Sequence, residues 1–337
     1  VAVTLHDVAR LAGVSIKTVS NVVNDHPYVR DETRRRVLDA IAALGYTPNL
    51  SARSLRSGRT NVIALMIPDL RNAYFAELAD AVMRAAAGHG LSVLIEQFGD
   101  DREHEIAALR RPRPQLVDGV LYSVLALDQD DEDVIAAMPV PVVLLGERIF
   151  TGPRDHVTMR NTEGARAATE HVLGLGRRRV VALGAHPGEV IGSAALRLDG
   201  YRAALEAAGI ASGEELIVPV GSWLRRNGAK AMRDLLASGV GFDAVVAFND
   251  AIALGALRAL QEAGLRVPED VALIGFDDID ETQYSMPTLS TIDPGRAEIA
   301  RTAVDLLVRR IEGGAAPFEP ERILVPYRLV PRESTAL

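Results

Sequence analysis

Two groups of residues in this sequence have the types and spacing to do chemistry. The first is Ser15-Ile16-Lys17-Thr18 with Ser20-Asn21. On a helix from Ile16 to Asn24 that buries Val19, Val22 and Val23, these side chains face away from the apolar stripe. Lysine suits guanine O6/N7, asparagine can contact adenine in bidentate fashion, and isoleucine packs on a thymine methyl, so the face has the chemistry to read a major groove. The second group stands where apolar runs end. Asp69 and Asn72 follow Val62 to Ile67, with Tyr74 and Phe75 next. Asn249-Asp250 follow Ala244 to Phe248, and Asp277-Asp278 follow Val271 to Phe276. With Arg197 and the single tryptophan, Trp223, they offer carboxylates, an amide, a guanidinium and an aromatic face to a polyhydroxylated ligand. Taken singly, Asp69 and Asp250 read first as helix caps or turn formers; only the set points to a ligand.

The elements that would position the first group are short helices. Thr4-Leu-His-Asp7 reads as a capping box for a helix carrying Leu5, Val8, Ala9, Leu11 and Ala12, which Gly13 stops. Ser15 caps the second helix. A third runs from about Asp31 to Leu44, with Val37, Leu38, Ile41 and Leu44 inward, and ends at Gly45. Two helices joined by a turn centred on a glycine, then a third closing the core, form a helix-turn-helix unit; a small bundle with a solvated polar face is the bland alternative. Ser15, Thr18, Tyr28 and the exposed arginines of the third helix would serve phosphates. Pro48 then ends the unit. Leu50 to Leu55 could make one and a half helical turns, too few to be stable without a partner surface.

From Asn61 the pattern changes to short apolar runs alternating with helical stretches such as Phe75 to Gly88 and Ala194 to Ala208. The runs are Val62–Ile67, Leu91–Ile95, Gly119–Tyr122 and Val140–Leu145, then Val180–Leu183, Leu216–Val218, Ala244–Phe248 and Val271–Gly275. Such alternation implies parallel sheets covered on both faces. Two series of four predict two similar subdomains with a cleft between them, the ligand lying at the carboxyl ends of the strands.

In the head, Thr4-Leu-His-Asp-Val-Ala-Arg-Leu-Ala-Gly-Val-Ser15, Thr18-Val-Ser20, Asn21-Val-Val-Asn24, Gly45-Tyr-Thr-Pro-Asn49 and Ala52-Arg-Ser-Leu55 resemble the pattern of the lactose-repressor (LacI/GalR) family of bacterial transcription regulators. Beyond the head, Arg197-Leu-Asp-Gly-Tyr201, Phe248-Asn-Asp250, Gly275-Phe-Asp-Asp278 and Pro287-Thr-Leu-Ser-Thr291 extend the likeness over nearly the whole chain. The resemblance implies a headpiece at 1–47 and a hinge helix at 48–59. A core related to periplasmic sugar-binding proteins would follow, its subdomains formed by 60–160 with 291–322 and by 161–290 with 323–337. The chain would cross between them near 160, 290 and 322. Expected DNA contacts are Thr4, Ser15, Ile16, Lys17, Thr18, Ser20, Asn21, Asn24 and Tyr28, with Asn49, Ala52 and Leu55 in a hinge that becomes helical on operator DNA. The leucine would wedge between central base pairs from the minor groove. In the cleft, Arg197, Asn249 and Asp277 would hydrogen-bond an effector, Trp223 would stack on it, and Tyr74, Phe75 and Ser193 would line the wall. Three positions depart from the family's pattern: Arg160 before Asn161, Glu147-Arg148 where Asp-Arg is frequent, and Asp293 where Gln is common. They lie near the cleft and point away from a simple neutral sugar.

Other chemistries fit less well. The 337-residue chain has no cysteine, hence no disulfide or thiolate site. Its two lysines, Lys17 and Lys230, follow no glycine, so no phosphate-binding loop can be drawn. Gly-x-Ser-x-Gly and His-Glu-x-x-His are absent, and Asp100-Asp-Arg-Glu-His-Glu105 reads as a solvated helix start rather than a metal site. No enzyme, metal or cofactor is expected. A sugar-binding transport protein would suit the second part alone. With neither a signal peptide nor a long apolar span in the sequence, the expected location is the cytoplasm, with no membrane partner. A net charge of -8 seems to oppose a polyanionic partner. Residues 1–60, however, hold nine Arg or Lys against five acids, a net of +4, which leaves -12 on the rest. The combined expectation is a homodimeric repressor on a pseudo-palindromic operator, controlling a carbohydrate-utilisation operon and responding to a sugar or sugar derivative. The absence of a heptad tail after Pro331 favours the dimer over a tetramer.

Overall fold

The computed structural model describes residues 3–23, 26–46, 59–99, 101–111, 116–127, 129–147, 154–314 and 319–336. Asn24, Arg148 and the expected hinge residues Asn49, Ala52 and Leu55 lie outside them. The chain divides into two units, Val1–Thr60 and Asn61–Leu337.

In the first unit, α1 (Leu5–Ala12), α2 (Ile16–Val23) and α3 (Asp31–Leu44) enclose a small core. Val8, Val19 and Val37 are fully buried in it. The Asp7 carboxylate accepts from the Thr4 N–H at 3.0 Å and the Thr4 hydroxyl at 2.7 Å, which closes the start of α1. These bonds hold the Asp7 pKa below the ordinary carboxylate value. Gly13 ends α1 at φ 64°, a conformation that favours glycine, and Arg36 of α3 donates to the Ala12 and Gly13 carbonyls at 2.7 and 3.2 Å. One inward assignment on α3 changes. Leu38 is half exposed, and its expected place is taken by Ala40 and by Tyr46, beyond the helix, because a side chain one position from Val37 lies about 100° round the axis.

The second unit has two parallel sheets. Strands β1 (Val62–Ile67), β2 (Ser92–Gln97), β3 (Gly119–Ser123), β4 (Val142–Leu145), β5 (Asp155–Met159) and β11 (Arg322–Val325) form one, in the order β11-β5-β4-β3-β1-β2. Strands β6 (Val180–Ala185), β7 (Ile217–Pro219), β8 (Ala244–Ala247) and β9 (Ala272–Ile274) form the other, in the order β7-β6-β8-β9. Helices α4 (Ala73–Gly88), α5 (Arg102–Leu109), α6 (Glu132–Ala136) and α11 (Arg296–Gly313) accompany the first sheet. Helices α7 (Asn161–Gly174), α8 (Ser193–Ala207), α9 (Arg225–Ser238) and α10 (Asp250–Glu262) accompany the second. The strand expected from Val140 begins at Val142: Pro141 has no N–H to donate, and only its carbonyl joins the sheet, accepting from Val120 N at 2.9 Å.

The chain passes between the two halves three times. The first passage is at Arg160. The second falls after Asp293 rather than at 290, because β10 (Thr291–Asp293) pairs antiparallel with β12 (Arg328–Val330), while Ser290 bridges to Ile274 in the second sheet. The third falls after Val325 rather than at 322, because β11 is hydrogen-bonded to β5 as far as Val325↔Met159.

Candidate functional site

The carboxyl ends of both sheets face a cavity of about 470 Å³. Each of the seven residues expected there, Tyr74, Phe75, Ser193, Arg197, Trp223, Asn249 and Asp277, lies on its lining.

On the first half's wall, Asn72 caps α4 by accepting from Tyr74 N–H at 3.1 Å, which fixes Tyr74 and Phe75 in the first turn with their rings edge to face at 5.3 Å. Burial, then the nearby Asp277 and Glu147 carboxylates, raise the Tyr74 phenol well above its ordinary pKa. Asp69 is bound by the Arg71 side chain at 2.8–3.0 Å, and this pairing holds its pKa low. Glu147, just past β4, reaches the opposite half. It accepts from Asn161 Nδ2 at 2.8 Å and from the Ser193 hydroxyl at 2.8 Å.

On the second half's wall, α7 and α8 cross with Asn161 and Arg197 near their starts. Arg197 is buried; its Nε donates to Asn161 Oδ1 at 2.8 Å and its Nη1 to the Phe248 carbonyl. Its guanidinium lies 3.7 Å from the Phe276 ring centroid and 5.2 Å from that of Trp223. Nη2 stands 3.7 Å from the Asp277 carboxylate. Arg197 is therefore first a strut tying the two helices to β8, with part of its donor capacity already committed. Burial lowers its pKa, and Asp277 and Glu147 oppose that shift. Asn249 is likewise committed: its Oδ1 accepts from Ile252 N–H at 2.9 Å and caps α10. Trp223 donates through Nε1 to the Gly184 carbonyl at 3.0 Å, which fixes the indole plane. Asp277 sits at φ 119°, a strained conformation for a non-glycine residue. Burial pushes its carboxyl up to about 7, against the pull of Arg197 and Arg296.

Three further residues complete the site. His186 lies with Nδ1 2.9 Å from Glu189 and Nε2 3.0 Å from the Gly221 carbonyl, two acceptors that only a doubly protonated ring satisfies. Burial pulls its pKa down, but Glu189 and the carbonyls of Gly221 and Val220 more than offset this and leave it raised. The second oxygen of Glu189 accepts from Ala194 N–H and Ala195 N–H at 3.1 and 3.3 Å, satisfying free donors at the start of α8. Glu105 corrects the reading of 100–105 as a solvated helix start. Asp101 does cap α5, but Glu105 is fully buried and holds the loop after β3, whose Val124, Leu125 and Ala126 line the cavity. Glu147, singled out in the sequence as a departure near the cleft, also follows a strand end, as Asp69 and Asp277 do. Glu105 lies within a helix and left no such signal, whereas His186 and Glu189 stand in the loop after β6, where the same rule applies.

Gly200, midway along α8, is where that helix meets the first turns of α7. A Cβ there would overlap the Thr162 carbonyl of α7 and lie 2.8 Å from Arg166 N. Gly200→Ala should cost about 1–3 kcal/mol in urea unfolding by forcing the helices apart. Gly174→Ala, with nothing within 4 Å, is the control expected to stay near neutral.

In the headpiece, the Ser15 hydroxyl accepts from Thr18 N–H at 3.1 Å and lies 2.9 Å from the Thr18 hydroxyl, so both side chains serve the helix cap. Lys17 is exposed, Thr18, Ser20 and Asn21 are half-buried, and Tyr28 is 89% exposed. Ile16 departs from the expected outward face: it is half-buried and packs on the headpiece core. Thr4 is bonded to Asp7. Of the arginines on α3, Arg36 is taken by the α1 turn and Arg34 donates to the His26 carbonyl at 2.8 Å, whereas Arg35 is exposed.

A three-helix head carrying a helix-turn-helix, followed by a two-halved α/β body with a ligand-sized cleft, is the architecture of a ligand-binding DNA-binding protein. Residues 4–49 match the family described as bacterial regulatory proteins, lacI family, and residues 169–335 match a periplasmic binding protein-like domain. The ribose operon repressor of Escherichia coli (strain K12) is 34% identical over 311 residues, 91% of this chain and 93% of that protein. A putative LacI-family transcriptional regulator from Sanguibacter keddieii, of known structure, is 54% identical over 82% of this chain and 99% of its own, with a TM-score of 0.77. The Lac repressor dimer bound to operator and the anti-inducer ONPF matches over 100% of both chains at 31% identity and a TM-score of 0.85. The chain belongs to the LacI family of bacterial regulatory proteins.

Proposed function

We propose that this protein is a ligand-responsive transcriptional repressor, not an enzyme. It binds a pseudo-palindromic operator as a homodimer in the cytoplasm and controls a carbohydrate-utilisation operon. The observation that carries this reading is the cavity, whose lining draws residues from both halves of a core that follows a helix-turn-helix head. Similarity to the ribose operon repressor and to an operator-bound Lac repressor dimer supports it. A ligand lodged against both walls favours one relative placement of the halves. That differential affinity is what shifts the population between operator-binding and operator-free states. Glu147, bonded to Asn161 and Ser193 on the opposite wall, is the contact such a ligand must accommodate or replace.

The experiment is selection of duplexes from a random DNA pool by the purified chain, then a band-shift titration with candidate sugars. Enrichment of a palindrome whose complex responds to one sugar is the expected result. No enrichment, or turnover of a sugar without DNA binding, would reject the reading. On the selected duplex, Asn21→Ala should lose about 1–3 kcal/mol of discrimination at one base pair of each half-site. Arg35→Ala should weaken binding to all sequences alike and flatten the salt dependence by roughly one phosphate contact.

A further inference from the structure

Among the described residues that line the cavity, carboxylates outnumber cations. Asp69, Glu147, Glu189 and Asp277 face it against Arg71, Arg197 and His186. Two of the acids are settled by neighbours, Asp69 by Arg71 at 2.8 Å and Glu189 by His186 at 2.9 Å. The other two have no such pairing among the described residues: Glu147, from one wall, accepts only from the neutral Asn161, Ser193 and Thr158 side chains, and Asp277, from the other, stands 3.7 Å from the Arg197 guanidinium, which is itself bonded to Asn161 and Phe248. Arg296, the next cation, is matched by Glu77. Behind Asp277, the buried Asp250 adds a carboxyl bonded to the Thr291 hydroxyl and the Ile279 N–H rather than to a base.

Resting on the reading of this cavity as an effector site, we infer that its effector is a carbohydrate bearing an amine, whose ammonium lies at the Glu147–Asp277 pair, and that phosphorylated and carboxylated sugars are excluded. An ammonium brings three donors and a positive charge to a wall where the Glu147 carboxylate is held by neutral donors alone among the described residues. Burial raises the Asp277 carboxyl, so its charged form is disfavoured unless a cation stands beside it. A phosphate would place further negative charge among desolvated carboxylates, where like charges repel far more strongly than in water. The cavity, at about 470 Å³, has room for a mono- or disaccharide.

Calorimetric titration of the full chain with two matched series tests this: glucosamine, glucose and glucose 6-phosphate, then the β-1,4 dimer of glucosamine, cellobiose and cellobionate. In at least one series the amine should bind at least about tenfold more tightly than its neutral counterpart, and the acid should not bind. In Glu147→Gln the advantage of the amine should fall below about threefold. Asp277→Asn serves as a second variant if the first does not melt cooperatively. Equal affinity for amine and neutral sugar, tighter binding of an acid, or no binding by any of the six overturns the inference. Selection of DNA by the same preparation separates the two readings. An enriched palindrome without amine preference removes only this effector class, whereas failure to enrich DNA removes the repressor reading.

Discussion

Replacing Asp277 with asparagine should remove a pH dependence of stability that runs against the usual acid-side loss. Burial lifts the carboxyl of the folded protein to about 7 from an ordinary 3.8, with Glu147 and Glu77 adding to the lift and Arg197 and Arg296 opposing it. Between those values the folded protein holds a proton that the unfolded chain has released. This group's contribution is therefore greatest below about pH 4 and is lost as pH rises through about 7. At about 1.4 kcal/mol per pH unit, the window is worth up to about 4 kcal/mol. Asparagine keeps the shape and has no proton to lose. Urea unfolding of both proteins from pH 5 to pH 8 (about the range in which most domains stay folded) should show the wild type losing stability relative to Asp277→Asn as pH rises. Parallel curves would show that Asp277 does not titrate in this way.

The second large effect is expected at Glu105→Ala. Glu105 is 0% exposed and accepts four hydrogen bonds: from the Tyr122 hydroxyl at 2.5 Å and from the N–H groups of Leu125, Ala126 and Leu127 at 2.9, 2.7 and 3.2 Å. Alanine would leave buried donors without acceptors and open space beside Tyr122. A loss of about 3–5 kcal/mol is expected in chemical unfolding, because each unsatisfied buried group costs about 1–3 kcal/mol and partial relaxation recovers some of it. Leu125 and Ala126 line the cavity, so ligand affinity should fall even where the variant remains folded. Glu103→Ala, two residues away and exposed, should stay within about 0.5 kcal/mol of wild type. Equal effects at the two positions would rule out a positioning role for Glu105.

What was readable in the sequence was what local chemistry determines. The capping box at Thr4, the left-handed Gly13 and the cap at Ser15 act within a few residues, and α1 and α2 begin within a residue of where those signals place them. Most strands of the two parallel sheets were apolar runs, and the residues at their carboxyl ends were candidates by position alone. What stayed hidden depends on partners far along the chain. Strand β5 reads Asp-His-Val-Thr-Met and is buried throughout, so it carries no apolar signature. Asp155 is tolerable there because Arg310 grips it at 2.6 and 2.8 Å and Glu321 N–H donates to it at 2.8 Å. Glu105 was hidden for the same reason: its four donors lie 17 to 22 residues further on. Arg197 and Asn249 were found, but their prior bonds within the protein could not be read from their types.

The placement of β11 bears on how the protein is made. The outer edge of β5 pairs with residues 322–325, which the ribosome supplies more than 160 residues after β5 itself. At ordinary elongation rates that edge stands open for roughly 10 to 30 s. Throughout that interval the nascent first half presents a row of unpaired backbone groups and an Asp155 without its arginine. Open strand edges of this kind invite pairing with other chains. The order in which this chain delivers its strands therefore leaves the β5 edge open to such pairing until residues 322–325 arrive.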